Sequence, residues 1–384
     1  MLKSLFFELQ PIIKFAKPVT LSENRNYFPS IDILRGFAAL SVVVYHVIEH
    51  FKWIDFPTQG PLVWFRIGWM GVDLFFVISG FVIGLSALSE IDRHGISDFR
   101  YPFMRRRIVR IVPLHYLTCL IFMTLVMPQI LFEKFWPNLI THALFMHNLF
   151  PGFHGAINGP NWSLGIEMQF YLLMLLITPW IKQIHPYKTI VILILTAWIW
   201  RLGCVWLIPI TGEKGIQPLF WMSTQLPGCL DEFAAGLLLA IISRTTLGAR
   251  LLRASTLWSI VAATIAVWLA LQLYWPNAKY WDNPFMVIFY RTILATACGL
   301  VVFCACTLNH PWWLRLTAPL RYLGTISYGI YLWHLAVLFS LRDLSWLEPQ
   351  RALPMILILT FCLASVSWHF FEQPFIQRFA KKSP

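Results

Sequence analysis

The sequence predicts an all-α fold: a polytopic membrane helix bundle of about ten transmembrane helices. Three observations predict it. First, 58% of the 384 residues are hydrophobic and only 12% are charged, roughly half the ~25% charge of a soluble globular domain. So few charges cannot cover a water-facing surface, which argues against a soluble enzyme, a disordered chain or a collagen-like fibre. Second, ten stretches approach the ~20 apolar residues that cross a bilayer: 33–51, 69–88, 108–127, 163–181, 189–208, 225–243, 257–275, 286–308, 322–341 and 353–371. Third, Lys and Arg are abundant and scarce by turns in the segments between them.

Turn and charge signals separate the spans, among them Asp55-Phe56-Pro57, Pro209, Pro276-Asn277 and Glu348-Pro349. Segment 138–150 is apolar but too short to cross. It carries His142, His147 and Asn148, and reads as a re-entrant or interfacial piece. With the N-terminus in the cytoplasm, nineteen of the 30 Lys and Arg fall on inner segments, seven on outer ones and four within or at the edge of spans. That bias is the positive-inside signature, and it places both termini in the cytoplasm of a multi-pass protein of the inner (plasma) membrane. The net charge of +12 therefore reflects topology, not nucleic-acid binding. Seven cysteines, all in apolar stretches and without a Cys-x-x-Cys spacing, give neither a disulfide framework nor a metal site. Residues 1–30 read as a cytoplasmic amphipathic lead without a cleaved signal peptide. Residues 31–376 form the membrane domain, and 377–384 a basic cytoplasmic tail too short for an appended soluble domain.

Ionisable side chains inside spans are costly and mark function more often than packing. Arg35 and His46 of span one are eleven residues apart, about 16 Å along a helix and nearly on one face. Taken alone, Arg35 reads as a topology anchor; His46 reads as either a reactive imidazole or a satisfied helix partner. Asp73 lies near the outer end of span two, and the small pair Ser79-Gly80 permits close helix contact or close ligand approach. Arg107 and Arg110 precede Pro113 three residues apart. They suit positive-inside anchoring, or phosphate binding through rigid guanidinium forks. Glu167, one turn into span four, needs a partner, and His46 is expected at similar depth. Arg201, Asp231, Glu232 and Arg291 are placed to neutralise one another. His334 either lines a cavity or is a satisfied core histidine. Glu372 is placed to pair with the arginine cluster.

Five signatures now fall in order: Ile31-Asp32-Ile33-Leu34-Arg35-Gly36 with His46; Gly71-Val72-Asp73-Leu74-Phe75-Phe76-Val77-Ile78-Ser79-Gly80-Phe81; Arg107 and Arg110 before Pro113; Asn161-Trp162-Ser163-Leu164 with Glu167 and Tyr171; and Ser327-Tyr328-Gly329-Ile330-Tyr331-Leu332-Trp333-His334, followed by Phe371-Glu372-Gln373-Pro374. Together they resemble the membrane-bound acyltransferase 3 family over residues 31–376, as a stand-alone member without the C-terminal SGNH-type domain. The resemblance implies transfer of an acyl group, most often acetyl, from cytoplasmic acetyl-CoA to a hydroxyl of an extracytoplasmic carbohydrate acceptor. The polyanionic donor would dock on Arg35, Arg107 and Arg110, with Ser79 and Gly80 near its arm. His46 would act as base or transient acyl carrier, oriented by Glu167 or Asp73. Asn148, Asn161, Trp162, Ser163 and His334 would contact the acceptor. A secondary transporter or flippase of a glycan or small molecule is the competing reading. It requires inverted repeats, and no such symmetry stands out.

Overall fold

The computed structural model describes residues 28–183, 185–208, 213–252 and 256–380. The expected amphipathic lead over 1–30 lies almost wholly outside them, as does the end of the basic tail. The described residues are helical and contain no strand. The long elements are α1 (Pro29–His50), α2 (Gly71–Asp98), α3 (Arg100–Ile121), α4 (Phe135–Ala143), α5 (Trp162–Gln183), α6 (Pro186–Leu207), α7 (Glu213–Ser223), α8 (Leu226–Ser243), α9 (Thr256–Tyr274), α10 (Arg291–Thr307), α11 (Ala318–Thr325), α12 (Ser327–Leu341) and α13 (Pro349–Ser367). Among the described residues, nine helices are long and apolar enough to cross a membrane. The tenth predicted span is the pair α11–α12, bent by 72°. The predicted interfacial segment 138–150 becomes the short helix α4 and a single 3-10 turn, His147–Leu149.

Prolines mark the helix starts. Pro29, Pro186 and Pro349 stand in the first turns of α1, α6 and α13, where the missing N–H leaves no bond unmade. A π-helical stretch, Met286–Tyr290, leads into α10 and shifts the register on which Arg291 faces inward.

Helix α2 is the hub. The window that includes it is 72% buried, against 17% for α9, so α9 sits at the lipid-facing rim. The most extensive packing in the bundle joins α2 to α8, and glycine makes it possible. A Cβ on Gly80 would fall 2.2 Å from the carbonyl oxygen of Phe233, and one on Gly236 would fall 2.0 Å from that of Val77. Gly80 is thus consumed by helix contact and is not available to the donor arm the sequence assigned to it. Its neighbour Ser79 faces the other way, into a cavity.

Candidate active site

Among the described residues, two chambers hold most of the side chains singled out in the sequence. The first is a slot of about 80 Å³ whose lining includes Arg35 from α1, Ser79 from α2, Arg107 and Arg110 from α3, Glu167 and Tyr171 from α5, and Tyr328 from α12. Three guanidinium groups face one carboxylate, so the slot is positive overall. Glu167 is held by Ser79 Oγ at 2.9 Å and Tyr171 OH at 2.6 Å, both donating to its Oε1. Arg107 lies over the Tyr171 ring, 5.8 Å from its centroid, and its buried Nε has no partner. Arg35 Nε reaches Ser327 Oγ at 3.4 Å. Arg107 and Arg110 share this wall because three residues apart on a helix is nearly one full turn.

The second chamber is far larger, about 990 Å³. Its wall is aromatic: Trp69, Trp162, Phe220, Trp221, Tyr274, Tyr280 and Trp281 all contribute, together with His46, Asp73, His154 and Arg291. The rings brace one another. Trp162 stacks on His154 at 5.5 Å and meets Phe220 edge-on, and Phe220 meets Trp281 at 90°.

His46 enters this chamber half-buried, and its partner is a second histidine. His334, fully buried, places Nε2 3.3 Å from His46 Nδ1. The tautomers follow from the carbonyls behind them. His334 Nδ1 lies 2.7 Å from the Tyr331 carbonyl, which only accepts, so Nδ1 holds the proton and Nε2 the lone pair. His46 Nδ1 lies 2.9 Å from the Val42 carbonyl and so donates, shared with His334. In the neutral ring, His46 Nε2 is then left as an acceptor.

The Acyltransferase domain of the acyltransferase 3 family matches residues 28–370, nearly the whole described chain and every residue of both chambers. The chain belongs to the acyltransferase 3 family. It is 28% identical over 385 residues to the peptidoglycan O-acetyltransferase OatA of Listeria monocytogenes, covering 92% of this chain and 57% of that one. It is 28% identical over 382 residues to YrhL of Bacillus subtilis, covering 92% and 55%. ORF330 of Acidianus two-tailed virus is 30% identical over 330 residues, 84% of this chain and 87% of that one. The chain thus spans a little over half the length of the two bacterial relatives. No solved structure matches it.

Within this acyltransferase 3 domain, Arg35, Arg107, Arg110 and Ser79 converge on the slot, and His46 and Trp162 share the aromatic chamber. The expected pairing of Glu167 with His46 is not found. The carboxylate is turned into the arginine slot, because Ser79 and Tyr171 flank it there. Asp73 shares the chamber with His46 but does not orient it: Asp73 sits 3.7 Å from Arg291, which also holds Glu232 at 3.0 Å. Arg201 pairs with Asp231 in full burial, so the four charges of α6, α8 and α10 do neutralise one another. Glu372 accepts a hydrogen bond from Ser367 at 3.1 Å and lies buried.

Asn148 and Asn161, expected near the acceptor, are fully buried and line neither chamber. They brace the connection between α3 and α5. Asn148 Nδ2 donates to Gln225 at 3.1 Å, and its Oδ1 accepts from Gln169 at 2.8 Å. The Asn161 carbonyl accepts from His147 Nε2 at 2.8 Å, and the His147 ring stacks on His142 at 4.2 Å. Ser163 lines the arginine slot and bonds Tyr331 OH at 2.7 Å. Sequence reasoning did not single out Tyr171, Tyr328 or Tyr331 as site residues, though all three stood in the motifs. The remaining aromatic wall had no signal, since Trp and Tyr of membrane spans read equally as interfacial belts.

Proposed function

We propose that this domain moves an acetyl group from cytoplasmic acetyl-CoA to a hydroxyl of an extracytoplasmic glycan, with the arginine slot as donor site and the aromatic chamber as acceptor site. The carrying observation is the opposed character of two chambers that share Val72 and Tyr331 in their linings. A cluster of guanidinium groups suits a phosphorylated donor. A slot of about 80 Å³ admits a narrow arm but not a nucleotide, so the nucleotide stays at the cytoplasmic mouth. The larger chamber falls in the size range of sites that enclose a small ligand, and its rings offer flat apolar faces on which the C–H face of a sugar packs. The excess of Lys and Arg on alternate segments supports the orientation, and the likeness to the Listeria peptidoglycan O-acetyltransferase supports a cell-wall glycan as acceptor.

The chemistry assigned to the chain is proton management. His46 Nε2 takes the proton from the acceptor hydroxyl as its oxygen attacks the thioester carbonyl; the C–S bond then breaks, and the thiolate recovers the proton from the imidazolium. His334 holds His46 in the reactive tautomer, as the buried carboxylate does in hydrolase triads. Arg107 and Arg110 bind the donor's anionic groups, and Glu167 fixes Tyr171 and Ser79 beside them.

Purified protein in detergent, given radiolabelled acetyl-CoA and cell-wall glycan, should label the glycan. Arg107→Ala with Arg110→Ala should raise KM for acetyl-CoA at least about tenfold, since each charge-assisted bond contributes roughly 1.5–3 kcal/mol, and should leave kcat largely intact. An unchanged KM would remove the phosphate-docking role, and absence of labelled glycan would remove the acceptor.

A further inference from the structure

Only Val72 and Tyr331 line both the arginine slot and the aromatic chamber among the described residues. Tyr331 comes from α12 with its ring edge-on to Phe75, centroids 6.1 Å apart. Its hydroxyl is pinned on both sides. It lies 2.7 Å from the hydroxyl of Ser163, which lines the slot, and donates to the carbonyl of Pro160, which lines the aromatic chamber, at 2.8 Å; Ser163 Oγ also lies 3.0 Å from that carbonyl. Its own carbonyl takes the Nδ1 proton of His334, which contacts His46. One residue thus stands in both linings and is hydrogen-bonded to the histidine pair.

We infer that Tyr331, with Val72, is a septum between the two chambers, and that the acyl end of the donor passes only when the tyrosine hydroxyl leaves Ser163 and Pro160. The physical need is plain. A bundle with water-filled cavities on both faces and no partition is a pore, which leaks ions and lets water reach the thioester before an acceptor arrives. Hydrogen bonds of one hydroxyl to both walls make a partition that a ligand can displace, because their net worth is small. Its coupling through the backbone to His334 means that displacing the ring also disturbs the tautomer lock. The inference rests on the acyl-transfer reading for its purpose, while the partition itself is testable without any turnover.

The test is accessibility. Val82 lines the arginine slot, and Ala278 lines the aromatic chamber. Val82→Cys and Ala278→Cys are made separately in a Cys362→Ser background, which removes the one exposed native cysteine among the described residues. Right-side-out membrane vesicles are treated with the impermeant anion 2-sulfonatoethyl methanethiosulfonate. With Tyr331 intact, Ala278→Cys should label quickly and Val82→Cys slowly. Adding Tyr331→Ala should speed labelling of Val82→Cys by at least about tenfold, and Tyr331→Phe, which keeps the ring but not its hydrogen bonds, by about threefold. Labelling of Ala278→Cys should not change. In parallel, Tyr331→Ala should raise acetyl-CoA hydrolysis without acceptor relative to transfer. Equal Val82→Cys labelling in all three backgrounds overturns the septum. Should Tyr331→Ala accumulate poorly, Tyr331→Phe, which preserves the packing, decides between the two outcomes by itself. Failure of the acyl-transfer reading would appear separately, as wild-type protein that neither hydrolyses nor transfers the acetyl group.

Discussion

Replacing His334 by alanine isolates the tautomer lock from the base it serves. The contact between the two rings is a 3.3 Å hydrogen bond from His46 Nδ1 to His334 Nε2, and His46 retains the Val42 carbonyl as a second acceptor at 2.9 Å. A net worth of about 0.5–1.5 kcal/mol for such a bond translates into a loss of roughly 2- to 12-fold in kcat. Removing the base by His46→Ala should instead cost about 10²- to 10⁴-fold. The double variant should be no slower than His46→Ala alone, since a lock has nothing to hold once the ring is gone. His334→Gln, whose amide oxygen can accept the same N–H, should recover much of the loss. The assay is initial-rate transfer of radiolabelled acetyl from acetyl-CoA to glycan at saturating donor, with melting in detergent as a folding control. If His334→Ala were as slow as His46→Ala in folded protein, His334 would itself be a reacting group. If the two losses multiplied in the double variant, the relay would be wrong.

Gly80→Ala should lower the melting temperature in detergent, because its Cβ would meet the Phe233 carbonyl at 2.2 Å and overpacking costs about 1–3 kcal/mol; an unchanged melt would show that α2 and α8 separate easily. Arg201→Met should reduce folded yield by leaving buried Asp231 unpaired, at about 3–5 kcal/mol, without altering KM for donor in the protein that folds. Adding Asp231→Leu should restore the yield, and failure to do so would show that the ion pair is not what the fold depends on. Burial lowers the His154 and His142 imidazoles of the α3–α5 connection to about 4 and about 2, below the ~6.5 of a solvated ring. The opened connection therefore binds more protons than the closed one. Closure is fully stabilised above pH ~6.5 and loses about 1.4 kcal/mol per pH unit per histidine as pH falls towards those values. Hydrogen exchange over 128–162 should accelerate between pH 6.5 and 5, and pH-independent opening would contradict the burial of these rings.

The bundle was legible in the chain because bilayer insertion is decided segment by segment. Each span had to be long enough and apolar enough on its own, so ten stretches announced themselves, and the charge bias oriented them. Arg107 and Arg110 were legible as a pair because three residues along one helix is nearly a full turn, whereas their grouping with Arg35 was implied only by the family resemblance. Gly80 and Ser79 were legible as a pair but not in their division of labour, which depends on α8 lying against one side of α2.

What the linear order left open was every contact between helices far apart in the chain. Depth along the membrane normal can be counted from residue numbers, but rotation about each helix axis cannot. His46 and Glu167 were therefore expected to meet at similar depth, yet Glu167 is turned towards Ser79 and Tyr171 in the arginine slot. The partner of His46 lies 288 positions away in α12, placed there by the 72° break between α11 and α12. The partition inferred at Tyr331 likewise depends on α5 and α12 packing side by side, because its hydroxyl bonds both ends of the Pro160–Ser163 turn.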